Sequence, residues 1–180
     1  MIPHIPETTL TLSGVHFNIT DNTTWKFSQT DITYGLTNIC RFGGQLESHY
    51  SVAEHSQRVA NTLKEWGTPP DVQLLGLLHD ATEAYMLDIP SPWKRHVKIK
   101  NRPYTEIEHE MMKAIVDWES QHNANIQHAW ANDWDLIEAA DQDAYQNETQ
   151  NRPHPSQRTH TETLHGFTHT WQTLRNQINN

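Results

Sequence analysis

The chain has 180 residues, 35% of them hydrophobic, with a mean hydropathy of −0.79, which supports one domain, residues 1–180, with a core of its own. A formal net charge of −9 argues against nucleic acid as a partner held by charge alone; an anionic small molecule stays possible, because a metal or a few local cations reverse the sign inside a pocket. Cys40 is the single cysteine, so no internal disulfide forms. No apolar run approaches the ~20 residues of a membrane span, and "MIPHIPETTL" lacks the charged start and apolar run of a signal peptide, so the expectation is a cytoplasmic protein with no membrane partner.

Residues 8–19, "TTLTLSGVHFNI", alternate around Ser13-Gly14, which predicts a short N-terminal hairpin carrying Leu10, Leu12, Val15, Phe17 and Ile19. The stretch 31–40 reads as a helix with Asp31 as N-cap and Gly43-Gly44 as its stop. "SVAEHSQRVANTLKEWG" is a second helix: Ser51 and Glu54 have capping-box spacing, and Val52, Val59, Leu63 and Trp66 form its stripe. The next helix is expected to be capped by Thr68, to start with Pro69 in its first turn and to run to about Met86. Pro90 and Pro92 prevent continuous helix across "LDIPSPWK". A helix after Pro103 buries Ile107, Met111, Ala114, Ile115 and Trp118. "SQHNANIQHAWAND" is too polar to assign, "WDLIEAADQDAYQ" is helical with Leu136, Ile137, Ala140, Ala144 and Tyr145 inward, and "NRPHPSQRTHTET" reads as a linker. The chain closes on Leu164, Phe167, Trp171, Leu174 and Ile178, an amphipathic helix expected to dock on its own domain. The fold class is all-α, with a short N-terminal β-hairpin.

Three of these helices carry ionisable residues where apolar ones belong. Within "LLGLLHDATEAY", His79, Asp80 and Glu83 share one side of a leucine-rich helix, and two carboxylates that close repel unless a cation or proton lies between them. His55 sits on the stripe of Val52 and Val59, and Asp141 on that of Ile137 and Ala144. Thirteen His make a metal site the natural candidate. The alternative is a buried polar network without metal. Imidazole and carboxylate together suit Zn, Mn, Co, Fe or Ni without choosing among them.

The order His, His-Asp, Asp on successive helices resembles the HD-domain metal-dependent phosphohydrolases, which fold as a helical bundle. "NICRFGG", "YSVAEHSQRVA" and "GLLHDATEAYMLDIPSPWK" are similar to the small branch that contains deoxynucleoside 5′-monophosphatases and phage-type deoxynucleotide (dATP) triphosphohydrolases. The resemblance covers roughly residues 31–145. It implies His55, His79, Asp80 and Asp141 as ligands of a divalent ion (Zn, Co or Mn, with Mg as a possible second ion). It further implies Glu83 as the group that orients or deprotonates the attacking water, Asp88 as a second acid near the scissile group, Arg41 and Lys94 as phosphate-binding cations, and Phe42 beside the base. Gln45 stands where many relatives have His.

The expected function is therefore metal-dependent hydrolysis of a nucleotide at its 5′ phosphate by a homo-oligomer. The basic stretch His96, Lys98, Lys100 and Arg102 tilts the expectation toward triphosphate release. A 5′-nucleotidase acting on monophosphates is the alternative, and a non-catalytic module that binds metal and nucleotide is the reading from another class.

Overall fold

The computed structural model describes residues 7–123, 125–150 and 158–179. Strands β1 (Thr9–Leu10) and β2 (His16–Phe17) pair antiparallel as the expected hairpin. Its alternation does not bury both strands: Phe17 is buried and stacks on Tyr85 at 4.4 Å, whereas Leu10 and Leu12 face outward. Helix α1 (Gln29–Asn38) has Ser28 as its N-cap, three residues before the Asp31 that the sequence suggests. Asp31 is not the cap; it accepts from the Ser13 backbone N–H (2.8 Å) and hydroxyl (2.6 Å) and so ties the hairpin to α1. The helix ends at Asn38, well before Gly43-Gly44, and Cys40 bridges to Ser51 instead. Residues 41–44 form a tight turn in which even Phe42 adopts a left-handed backbone (φ 58°).

Helix α2 (Val52–Glu65) starts on the expected reciprocal Ser51–Glu54 capping box. Helix α3 (Pro70–Leu78) has Pro69 at its N-cap position; Thr68 does not cap it, since its hydroxyl donates to the Leu63 carbonyl. The predicted continuous helix to Met86 is broken. After Leu78 the N–H groups of Ala81 and Glu83 bond to Leu78 and Asp80, three residues back, and regular helix resumes only as α4 (Glu83–Met86). Gly35 permits α4 to lie against α1, because a Cβ there would stand 2.7 Å from the Ala84 Cβ and 2.9 Å from its Cα.

A short helix α5 (Ser91–Lys94) leads into a small hairpin, β3 (Lys98–Ile99) and β4 (Arg102–Pro103), in the stretch the sequence presented only as basic. Helix α6 (Tyr104–Glu119) buries Ile107, Met111 and Ile115 as predicted, with Trp118 half-buried. The unassigned polar stretch contains α7 (Ile126–Asn132), anchored by Ile126 and Ala129. Helix α8 (Trp134–Gln150) buries Ile137, Ala140 and Ala144, but Leu136 and Tyr145 face outward, because the interface of α8 is one residue wide per turn. Of the predicted linker, residues 151–157 lie outside the described residues. Helix α9 (His160–Ile178) opens on a second capping box, Thr159–Glu162, and buries Phe167, Trp171 and Leu174.

The core gathers around α2, which packs on α3, α8, α1 and α9. Helix α9 docks on α3, α1 and α2, as expected, and an Arg175–Glu119 ion pair holds its far end to α6. Among the described residues no helix is long and apolar enough to cross a membrane.

Candidate metal centre

Helix packing around α2 brings three separate stretches to one point. His55 comes from the first turn of α2, His79 and Asp80 from the turn after α3, and Asp141 from the middle of α8. His55 Nε2 lies 2.9 Å from Asp141 Oδ1 and 3.8 Å from Asp80 Oδ2; His79 Nε2 lies 3.2 Å from Asp80 Oδ2 and 3.9 Å from Asp141 Oδ1. The ligating atoms of His55, His79 and Asp141 all fall within 4.8 Å of one another, and this group can hold a metal ion.

The orientation of the imidazoles decides what the group is suited to. His55 Nδ1 is 2.9 Å from Glu148 Oε1, and His79 Nδ1 is 2.8 Å from the Gly76 carbonyl oxygen. A carbonyl and an ionised carboxylate only accept, so each Nδ1 must carry the proton. In the neutral ring that leaves the Nε2 lone pair facing the cluster. Both Nε2 atoms are buried and face carboxylate oxygens of the cluster, His55 toward Asp141 at 2.9 Å and His79 toward Asp80 at 3.2 Å, and a metal between them would satisfy nitrogen and oxygen together. In a buried polar network without metal the same nitrogens would be protonated and donate to these carboxylates.

Electrostatics point the same way. Burial works against the charged forms of both His79 and Asp80, yet their mutual attraction wins: His79 is pushed up and Asp80 is held far below the usual carboxylate range. For Asp141, burial is likewise outweighed by the two imidazoles, and its pKa is lowered. The cluster is thus arranged around positive charge, whether protons or a metal supply it; metal binding releases the protons.

Glu83 stands beside this cluster under different conditions. It is buried, its Oε2 has no partner, and burial followed by repulsion from Asp80 and Asp88 lifts its pKa well above the ordinary value. Lys94 Nζ lies 3.4 Å from Glu83 Oε1 and 2.7 Å from Glu108 Oε1, so it bridges the two acids. Asp88 is half-buried; burial raises it, with Arg41 opposing. Arg41 is 3.7 Å from Asp80 Oδ2 and 3.3 Å from Glu148 Oε2, and its guanidinium lies 5.4 Å from the Phe42 ring centroid. Phe42 in turn is 6.1 Å from the Tyr145 ring.

A cavity of about 330 Å³ opens onto the cluster, lined by His79, Asp80 and Asp141 at the ligand end and by Lys94, Glu138, Trp130 and Trp134 among others. Its size is within the range of small-molecule sites. Phe42 does not line it. Nor do His96, Lys98, Lys100 or Arg102: Lys100 pairs with Glu7, and Arg102 with Glu106 and Glu110.

Glu148 escaped the sequence reading. Its carboxylate accepts from the Tyr50 hydroxyl (2.7 Å) as well as from His55, and His55, Arg41 and Tyr50 hold it ionised against the cost of burial. The signal was its place seven residues after Asp141, two turns on along the same face of α8.

No family model matches the chain. Over 85 residues it is 41% identical to the uncharacterized protein YfdR of Escherichia coli K12. The match covers 47% of this chain and 45% of that protein, so the chain spans under half the length of the relative.

Proposed function

We propose that the protein is a metal-dependent phosphohydrolase that cleaves a nucleotide at its 5′ phosphate, with His55, His79, Asp80 and Asp141 holding the divalent ion. The observation that carries this reading is the pair of imidazoles whose Nδ1 atoms face acceptors while their Nε2 atoms converge with Asp141, and with Asp80 alongside. A divalent ion in such a site neutralises phosphoryl oxygens and makes water a better nucleophile near neutral pH. Zn, Co and Mn all suit this ligand set.

The rest of the chemistry belongs to the chain. Glu83, buried beside the ligand cluster with its pKa raised by burial and by Asp80 and Asp88, is the group that would take the proton of the attacking water. Water adds to phosphorus, the P–O bond to the 5′ oxygen breaks, and that oxygen takes up a proton to leave as the alcohol. Lys94, at the cavity wall, offers the phosphate a point charge; Arg41, which like Glu83 and Asp88 does not line the cavity, is paired with Asp80 and Glu148 behind the ligand cluster and would meet a phosphate only from that side. Asp88 helps keep Glu83 protonatable through its negative charge.

The monophosphate is the substrate this geometry favours. The basic stretch that suggested a triphosphate spends Lys100 and Arg102 on surface ion pairs, Lys94 is shared between Glu83 and Glu108, and Glu138 adds a carboxylate to the cavity wall, which leaves little positive charge for further phosphates. Triphosphate hydrolysis is the second reading, supported by the resemblance of the His-Asp motif region. The test is product analysis with all deoxynucleoside mono- and triphosphates in the presence of Mn, Co or Zn. Release of inorganic phosphate from monophosphates is expected. Tripolyphosphate release would move the assignment to the second reading. Metal-dependent binding without any hydrolysis would leave a nucleotide-binding module.

A further inference from the structure

We infer that the base of the substrate is held by the aromatic wall of Trp130 and Trp134, on the far side of the cavity from the metal ligands, and not by Phe42. The inference rests on the nucleotide reading above. Trp130 lies in the last turn of α7 and Trp134 begins α8, and their rings meet edge-to-face at 4.6 Å. Both are only partly buried and both line the cavity that contains His79, Asp80 and Asp141.

The α8 face supplies the ruler. Trp134, Glu138 and Asp141 succeed one another at four- and three-residue spacing and all line the cavity. At about 1.5 Å rise per residue, Trp134 lies about 10 Å along the axis from Asp141, two turns away on the same side. A nucleoside phosphate has its three parts in the same sequence: phosphate, sugar, base. With the phosphate at Asp141, the sugar falls opposite Glu138 and the planar base reaches the tryptophans. Glu138 Oε1 accepts from Trp134 Nε1 (3.1 Å), which holds the indole in place and leaves the second carboxylate oxygen for a sugar hydroxyl. Met112 and Ile137 complete an apolar floor at this part of the cavity. The Phe42 ring packs instead toward Tyr145, four residues beyond Asp141 and away from the tryptophans.

The experiment compares metal-loaded wild type, Trp134→Leu, Trp130→Leu and Phe42→Leu with a deoxynucleoside monophosphate and with ribose 5-phosphate, which carries the phosphate and lacks the base. Circular dichroism and metal uptake establish that each variant is folded. Base–aromatic stacking is worth about 1–3 kcal/mol per base, so the tryptophan variants are expected to lose about tenfold more kcat/KM for the nucleotide than for ribose 5-phosphate. Phe42→Leu is expected to affect the two alike. The reverse pattern, or equal losses in the tryptophan variants, overturns the inference. Should either tryptophan variant fail to fold, quenching of indole fluorescence in the wild type by nucleotide, but not by ribose 5-phosphate, decides the matter in its place. Nucleotide-specific quenching without hydrolysis would sustain the base site while defeating the phosphohydrolase reading. Hydrolysis with no base dependence would do the opposite.

Discussion

Replacing Glu148 with glutamine tests whether the second ring of residues tunes the metal site. The carboxylate serves His55 Nδ1 at 2.9 Å and the Tyr50 hydroxyl at 2.7 Å through one oxygen, and stands 3.3 Å from Arg41 Nε through the other. A glutamine keeps a single acceptor. If its oxygen stays on His55, its NH₂ faces the Arg41 guanidinium, donor against donor. If it turns, its NH₂ faces His55 Nδ1, drives the proton to Nε2 and removes the lone pair that would bind metal. Either outcome weakens His55 as a ligand. Loss of such a partner costs about 10- to 100-fold in metal affinity, or about 1.4–2.7 kcal/mol. Competition against a chromophoric chelator measures this directly, with Tyr50→Phe as a milder control that leaves the His55 contact intact. Glu148→Gln binding metal as tightly as the wild type would refute the tautomer argument. Glu148→Ala is expected to go further and destabilise the fold, by about 3–5 kcal/mol, since it strands a buried arginine and hydroxyl.

Glu83→Gln is expected to keep metal affinity nearly intact and to lower kcat by about 10²-fold or more; loss of metal as complete as in Asp80→Asn would make Glu83 a ligand instead. The same variant carries a stability signature in metal-free protein: because the native state holds the Glu83 proton more tightly than the unfolded chain does, the Glu83 contribution falls as pH rises from the ordinary value of 4.5 through the raised native one. Denaturant midpoints of Glu83→Gln should therefore decline less across that window than those of wild type, and an identical decline would contradict the burial argument. Asp141 and Glu148 act with the opposite sign: their lowered values contribute stability above the ordinary carboxylate range that is lost on acidification. Arg41→Ala is expected to reduce kcat/KM alike for every base, because the phosphate contact proposed for it is common to all of them; base-dependent losses would place it elsewhere. Trp171→Ala should cost about 3–5 kcal/mol in a thermal or denaturant melt, and deletion of residues 160–180 should lower the melting temperature without changing the molar mass by light scattering; a halved mass with unchanged melting would make α9 a subunit interface.

The parts of this structure legible in the sequence were those governed by local chemistry. The Ser51–Glu54 capping box and the stripe of α2 fixed where His55 points, and the apolar spacing of Phe167, Trp171 and Leu174 located the docked face of α9. An ionisable residue on an apolar stripe was enough to single out His55 and Asp141, because periodicity alone places them inward. The break after Leu78 was not legible: residues 74–86 contain no glycine or proline at the break, and only tertiary packing shows the i→i+3 bonding of residues 78–84. Asp31 looked like a cap because caps and long-range acceptors use the same residue type; its tie to Ser13 depends on the hairpin lying alongside. Glu148 was hidden in a polar run, where nothing local distinguishes a buried carboxylate from a solvated one. Leu136 and Tyr145 were placed inward on residue type, and the structure leaves both at the surface because α8 offers the core only Ile137, Ala140, Ala144 and Glu148.

The most direct measurement is equilibrium uptake of Zn or Co by chelator-stripped protein, alongside His79→Ala. Three ligand-type groups within 4.8 Å of one another, His55, His79 and Asp141, with both imidazoles turning Nε2 toward the cluster, call for about one tightly bound equivalent in the wild type and little in the variant. Uptake below about a tenth of an equivalent, or equal uptake by wild type and His79→Ala, would mean that the cluster is a buried polar network and that the metal centre does not exist.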